Sequence, residues 1–199
     1  MKMTVVLTLA TPDYAERWKF CLDSQARYAK RFGYDHVCND RPVAGLDAFW
    51  SKLHLALGYL NAGSDVLLID ADAEITSRAR PFTEVLRRFP TKDIFYVLGI
   101  SGRPNSGVLM LRGGQSHAVA FLNVCLANVT MRLPKADRAP GENGHVIYFL
   151  KKEPFASASH ELLLRWNCSR VASAANAYIR HFTNELRRAL EDGSFHRID

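Results

Sequence analysis

Val5, Val6, Leu7 and Leu9 make a nearly unbroken apolar run close to the start of the chain. Apolar residues without polar alternation are the pattern of a strand covered on both faces. Over residues 13–32 the apolar positions return at helical spacing, with Asp13 placed to cap the start and Gly33 to end it. The pattern then predicts a short strand over 36–39, a loop through Pro42 and Gly45, and an amphipathic helix over about 46–60. Asn61-Ala62-Gly63 closes that helix, and 66–69 is the next apolar strand. Beyond it, 81–89 reads as a helix, 94–100 and 107–111 as strands, and 118–131 as a helix, while 133–141 reads as a flexible loop.

Strands alternating with helices at this spacing imply an α/β domain with helices flanking a central, mostly parallel sheet. No repeat or low-complexity segment interrupts the series. The chain has 199 residues, enough for one domain that buries roughly 70% of its unfolded surface. With 48% hydrophobic and 23% charged residues, neither a disordered nor a membrane-embedded class is indicated.

The opening apolar run ends at Thr11 and Pro12 and leads into a charged helix, so it reads as a core strand and not as a signal peptide or anchor. The expectation is a cytoplasmic protein of bacterial or viral type, or one domain of a longer polypeptide. Cys21, Cys38, Cys125 and Cys168 are widely spaced, form no CxxC pair and share no zinc spacing with histidines, so they are expected as free, buried thiols. A formal net charge of +6 favours an anionic partner. The arginines of 78–88 and 180–197 are its densest stretches, and both read as solvated helical faces.

Candidate chemistry centres on VLLIDADAEI. Asp70 and Asp72 follow the most apolar strand and are separated only by Ala71, so in extended backbone both carboxylates lie on one face. Two acids held together repel each other and suit a hard divalent cation with oxygen ligands. In open α/β sheets ligands also bind beyond the carboxyl ends of strands. Capping a helix or facing solvent is the competing reading of the same spacing.

An ordered set of segments resembles the family 34 glycosyltransferases and, more loosely, family 8. YAKRFGYDHV is similar to the family's YA-x-x-x-GY segment, FWSKL to its W-x-K segment and LLIDADAEI to its DxD strand. RPNSGVLMLRG resembles the N-x-G strand, GENGHVIYFL the start of the EQ/DQ helix, and IRHFTNEL the region of the late histidine. Together they run from Tyr28 to about His181. The resemblance implies a GT-A fold in a single domain over 1–199, with a nucleotide-binding half at about 1–75 and an acceptor-binding half at about 76–199. It also implies Mn2+ or Mg2+, a nucleoside-diphosphate sugar donor of the UDP type, transfer with retention, and a glycan, glycoprotein or glycolipid acceptor.

Residue by residue, the resemblance puts the cation on Asp70, Asp72 and His181. Donor contacts fall to Thr8, Ala10, Thr11, Tyr14, Lys52, Asp70, Ala71, Asn105, Ser106 and Gly107, and Glu142 and Asn143 join Lys52 near the reacting centre. A lysine at position 52 suits a phosphate as a compact point charge, and a glycine at 107 admits close backbone approach. Each also has a plain reading: Lys52 as helix surface, Tyr14, Trp50 and Trp166 as packing aromatics, Asn167 beside Trp166 as an acceptor-cleft or core residue, and the 104–107 segment as turn chemistry. The chain departs from the family twice. Asn143 replaces the second member of the EQ/DQ pair, and Thr183-Asn184-Glu185 follow the histidine where glycine is common.

Two other classes are weaker fits. A magnesium-dependent phosphatase would carry its DxD on the first strand with a threonine two positions on, and a sugar-nucleotide pyrophosphorylase would need a glycine-rich basic loop where LATPDYAERW stands. A non-catalytic sugar- or nucleic-acid-binding module suits the basic charge. No nucleic-acid recognition motif accompanies it, so nucleic acid is not an expected partner.

Overall fold

The computed structural model describes residues 3–114 and 116–197; Met1 and Lys2 of the opening run lie outside the described residues. The apolar runs form β1 (Thr4–Leu9) and β3 (Asp65–Ile69), which pair in parallel, and β2 (Asp35–Asn39) lies parallel on the other side of β1. β5 (Ile94–Leu98) and β6 (Pro104–Leu111) form an antiparallel pair, and β6 also runs antiparallel to β3. β7 (Ser159–Glu161) adds in parallel to β5, which completes a sheet of order β2-β1-β3-β6-β5-β7 in which only β6 is reversed.

The two faces of this sheet are read directly from alternate residues. Val66, Leu68, Leu109 and Leu111 point to one side, against Leu53, Ala56 and Leu60 of α3 (Ala48–Asn61) and Phe121, Leu122 and Cys125 of α5 (His117–Ala127). Leu67, Ile69, Val108 and Met110 point to the other, against Tyr28 and Ala29 of α2 (Lys19–Phe32) and Phe82 and Leu86 of α4 (Phe82–Arg88). Burial on both faces is why these strands show no polar alternation.

A separate antiparallel ribbon pairs β4 (Ala73–Ile75) with β8 (Ile179–His181), bringing together segments from opposite halves of the chain. A third core packs this ribbon's outer end, joining Trp18, Cys21, Ala174, Phe182 and Leu186. It also explains one departure from the periodicity. The helix expected over 13–32 is broken into α1 (Pro12–Arg17) and α2 at Trp18, whose ring is 2% exposed and stacks on Phe182 at 5.6 Å. Burying an indole outweighs one turn of helix continuity. Asp13 sits in the first turn of α1, with Thr11 as the capping residue and Pro12 at the first helical position. Gly33 does end α2, in the left-handed conformation at φ 69°.

Other boundaries move by a few residues. Asp47 caps α3 by accepting from the Trp50 N–H at 3.0 Å, so this helix starts at Ala48 and not at 46. The loop over 133–141 contains a short helical turn, Lys135–Asp137, and is pinned by Arg103, whose guanidinium donates to the carbonyls of Ala136 and Arg138 at 3.0 and 3.1 Å. The remaining helices are α6 (Asn143–Leu150), α7 (Phe155–Ala158) and α8 (Asn184–Glu191). All four cysteines are free as expected, although Cys38, on the edge strand β2, is exposed and not buried. Among the described residues no helix is long and apolar enough to cross a membrane.

Candidate active site

β3 ends at Ile69, and the chain turns through Asp70, Ala71 and Asp72 before resuming as β4. Two backbone bonds fix this turn: Asp70 N–H donates to Gly107 O at 2.8 Å and Ala73 N–H to Asp70 O at 3.1 Å. Gln25 of α2 supports it from behind, donating to the carbonyls of Asp70 and Ala73 at 3.0 and 2.9 Å. On β8, Arg180 and His181 point to opposite faces of the ribbon. Arg180 goes outward to Glu74 at 3.2 Å, and His181 goes inward to the aspartates. The arginines of 180–197 are therefore not simply a solvated face: Arg180 is 5% exposed, and Arg197 also holds Glu74, at 2.8 Å.

The two carboxylates divide their oxygens in the same way. Asp70 Oδ1 accepts from Lys52 Nζ at 2.6 Å, and Asp70 Oδ2 faces His181 Nε2 at 3.7 Å. Asp72 Oδ2 accepts from the Tyr14 hydroxyl at 3.1 Å and from Arg187, and Asp72 Oδ1 faces His181 Nε2 at 3.3 Å. One ligand atom from each of Asp70, Asp72 and His181 thus converges, all within 4.8 Å of one another. Two carboxylate oxygens and an imidazole nitrogen at this separation fit a divalent cation with positions left open on the cleft side.

Electrostatics support the grouping. Burial alone would push the Asp72 carboxyl up, but the neighbouring His181 and Arg187 charges hold it at about 2, below its ordinary 3.8. Burial would strip His181 of its proton, and Asp72 followed by Asp70 reverses this and raises it. Lys52 behaves alike: burial works against its charge, and Asp70 and Glu142 together raise it well above the ordinary lysine value. Tyr14 is pushed up to about 12 by burial and by Asp72, so it remains a hydroxyl donor.

The candidate residues of β6 and α6 interlock beside this cluster. Glu142 is 1% exposed and accepts from Ser106 Oγ at 2.6 Å and Lys52 Nζ at 2.8 Å. Asn143 accepts from the Ser106 backbone N–H at 2.9 Å through Oδ1, which leaves its amide NH2 for other partners. Asn105 Oδ1 accepts from Gly107 N–H at 2.9 Å. Lys52 is therefore a buried lysine bound to two acids and not a helix-surface residue. Its neighbour Trp50 packs into the core, as its plain reading has it.

All of this opens into one cleft of about 860 Å³, whose lining includes Ala10, Thr11, Tyr14, Lys52, Asp70, Ala71, Asp72, Asn105, Ser106, Gly107, Glu142, Asn143 and His181. Thr8 is absent from that lining; it is fully buried with its hydroxyl unpartnered. Phe49 and Ile100, exposed at 52% and 41%, line the same cleft. Sequence reading missed Arg187 and the use made of Asn167. Arg187 lies in a stretch whose arginines looked interchangeable, and Asn167 reaches the site only because the turn after Leu164–Trp166 returns to β8. The departure after the histidine is conformationally mild, because Asn184 adopts φ 50°, a left-handed backbone that glycine or asparagine tolerates best.

No protein-family model and no curated protein matches the chain by sequence. Solved structures do match its fold. A glycosyltransferase involved in the glycosylation of the major capsid of PBCV-1 superposes with a TM-score of 0.69 at 12% identity, over 97% of this chain and 100% of that one. The glycosyltransferase GlyE of Streptococcus pneumoniae TIGR4 superposes with a TM-score of 0.66 at 10% identity, over 99% of this chain, and its apo form gives 0.63. The chain spans 61% of the length of GlyE. The fold is thus the GT-A-like α/β fold of these glycosyltransferases.

Proposed function

We propose that this chain is a divalent-cation-dependent glycosyltransferase that moves a sugar from a nucleoside-diphosphate donor, of the UDP type, to a hydroxyl of a glycan or glycoconjugate. The observation that carries the reading is the convergence of Asp70, Asp72 and His181 at the floor of the cleft, on the fold of glycosyltransferases. Asp70, Asp72 and His181 would hold Mn2+ or Mg2+, which supplies charge neutralisation for a diphosphate leaving group.

The protein's own groups divide the remaining work. Arg187 stands at the cleft on the outer oxygen of Asp72, where its guanidinium has further donors for a phosphate. Lys52 bridges Asp70 and Glu142 and orients both. Ala10, Thr11 and Tyr14 line the end of the cleft next to β1, the place for the nucleoside. Asn143 offers its amide NH2 to sugar hydroxyls, and Glu142 places a negative charge behind Ser106 that favours a positive anomeric centre.

Under a retaining mechanism the bond from the anomeric carbon to the phosphate oxygen breaks with its electron pair passing to the diphosphate. The acceptor oxygen bonds to the same face of that carbon, and its proton passes to the departing phosphate. No separate base is then needed. Under this proposal residues up to about 75 hold the nucleoside and the later residues the acceptor, with His181 and Arg187 returning to the diphosphate.

The test is manganese-dependent release of nucleotide from a panel of nucleotide sugars. Turnover by the native chain and its loss by at least a thousandfold in Asp72→Asn is the expected result. Donor binding without turnover would favour a non-catalytic sugar-binding module, and neither binding nor turnover would retire the proposal.

A further inference from the structure

Three hydrogen bonds, one buried and two partly buried, run in series behind His181, and only one arrangement of their protons is self-consistent. The series begins at a group whose role is fixed. A backbone N–H can only donate, so the atom of Asn105 that faces Gly107 N at 2.9 Å is the amide oxygen. That same oxygen lies 3.0 Å from an amide atom of Asn167, which must therefore be the NH2 group. The other amide atom of Asn167 is then its oxygen, and it lies 2.9 Å from His181 Nδ1. An amide oxygen can only accept, so Nδ1 carries a proton. Turning either amide over would set donor against donor or acceptor against acceptor inside a site where Asn167 is 3% and His181 4% exposed. A buried polar group left unpaired there would lose its hydration with nothing in return.

We infer that the Gly107 backbone N–H, relayed through Asn105 and Asn167, fixes the His181 proton on Nδ1 and so reserves Nε2 for the cation. Asn167 is a positioning residue: it touches neither the cleft's aspartates nor a substrate, and acts through the imidazole. The relay has a steric counterpart, since a Cβ on Gly107 would sit 2.1 Å from His181 Cε1. One residue thus sets both where the ring lies and which nitrogen faces Asp70 and Asp72. The role of Nε2 as a ligand rests on the cation-dependent reading proposed above; the position of the Nδ1 proton does not.

The experiment has two readouts on the full chain. In protein carrying 15N-histidine, without metal at neutral pH, a hydrogen-bonded Nδ1–H correlation is expected for His181, identified by its loss in His181→Gln. It should disappear in Asn167→Leu. Separately, affinity for Mn2+ alone, read from the paramagnetic resonance of free ion, should fall 10- to 100-fold in Asn167→Leu. It should fall several-fold in Asn105→Leu, whose amide is hydrogen-bonded to the histidine only through Asn167. Absence of the Nδ1–H signal in the native chain overturns the inference even if the variants fail to fold, as does an Asn167→Leu protein that folds and binds Mn2+ like the native chain. If the native chain shows the Nδ1–H signal but binds no Mn2+, the relay stands and the cation-dependent reading falls.

Discussion

Gly107 and His181 compete for one volume. The ring occupies the space where any side chain at 107 would begin, with Cε1 and Nδ1 at 2.1 and 2.7 Å from the Cβ position. Gly107→Ala must displace the imidazole or the strand. The expected outcome is a stability loss of about 1–3 kcal/mol, as for an overpacked core, measured by urea denaturation, together with at least a tenfold weaker Mn2+ affinity.

Lys52 joins two carboxylates that are otherwise poorly solvated, one of them 1% exposed. Removing the ammonium leaves Glu142 without a counter-charge and Asp70 with His181 alone. Lys52→Met should therefore destabilise the chain by about 3–5 kcal/mol. Glu142→Gln keeps an acceptor for Ser106 and should cost less, about 1–3 kcal/mol. Equal costs in urea titrations would contradict the shared-cation arrangement.

How much of this was legible beforehand is clearest at Asp70 and His181. The aspartates stand out because a buried strand ends in two acids, a local signal that periodicity and spacing reveal. The α/β class with a mostly parallel sheet followed from the same local signals, whereas the strand order and the β4–β8 ribbon depend on distant pairings that leave no local mark. His181 was visible only through the ordered family segments, since its neighbours Ile179 and Phe182 mark nothing but core. Arg187 and Asn167 had no local signal, because their roles depend on where the ribbon and α8 return against the first helix. The break at Trp18 was hidden for the same reason: its cause, Phe182, is distant in sequence.

Arg187 balances Asp72 at Oδ2, with Tyr14 beside it. Arg187→Ala should lower kcat/KM for the donor by about a hundredfold, in the range of lost charge-assisted contacts to a phosphate. Arg187→Lys should recover part of this, because a point charge cannot hold carboxylate and phosphate in one planar fork. Steady-state kinetics with a single nucleotide sugar decide the order of the three proteins.

The metal-free protein should show a characteristic pH profile. His181 holds its proton more tightly when folded, so the stability it contributes is complete below its ordinary 6.5 and is lost as pH rises through the raised value. Asp72 contributes above its ordinary 3.8 and loses that contribution as pH falls toward about 2. The Tm should therefore decline on the alkaline side, and saturating Mn2+ should remove the decline by replacing the proton. His181→Gln should lack both effects in a thermal-shift series across pH.

The β4–β8 ribbon joins distant residues, Glu74 and Arg180 among them, 106 positions apart in sequence. During synthesis the aspartates leave the ribosome long before the histidine that faces them. A nascent chain accordingly owns two of the three residues of the candidate cation site and no closed cleft floor. Under the proposed function, a polypeptide that stops short of β8 lacks the third residue of the site and is expected to leave the donor uncleaved.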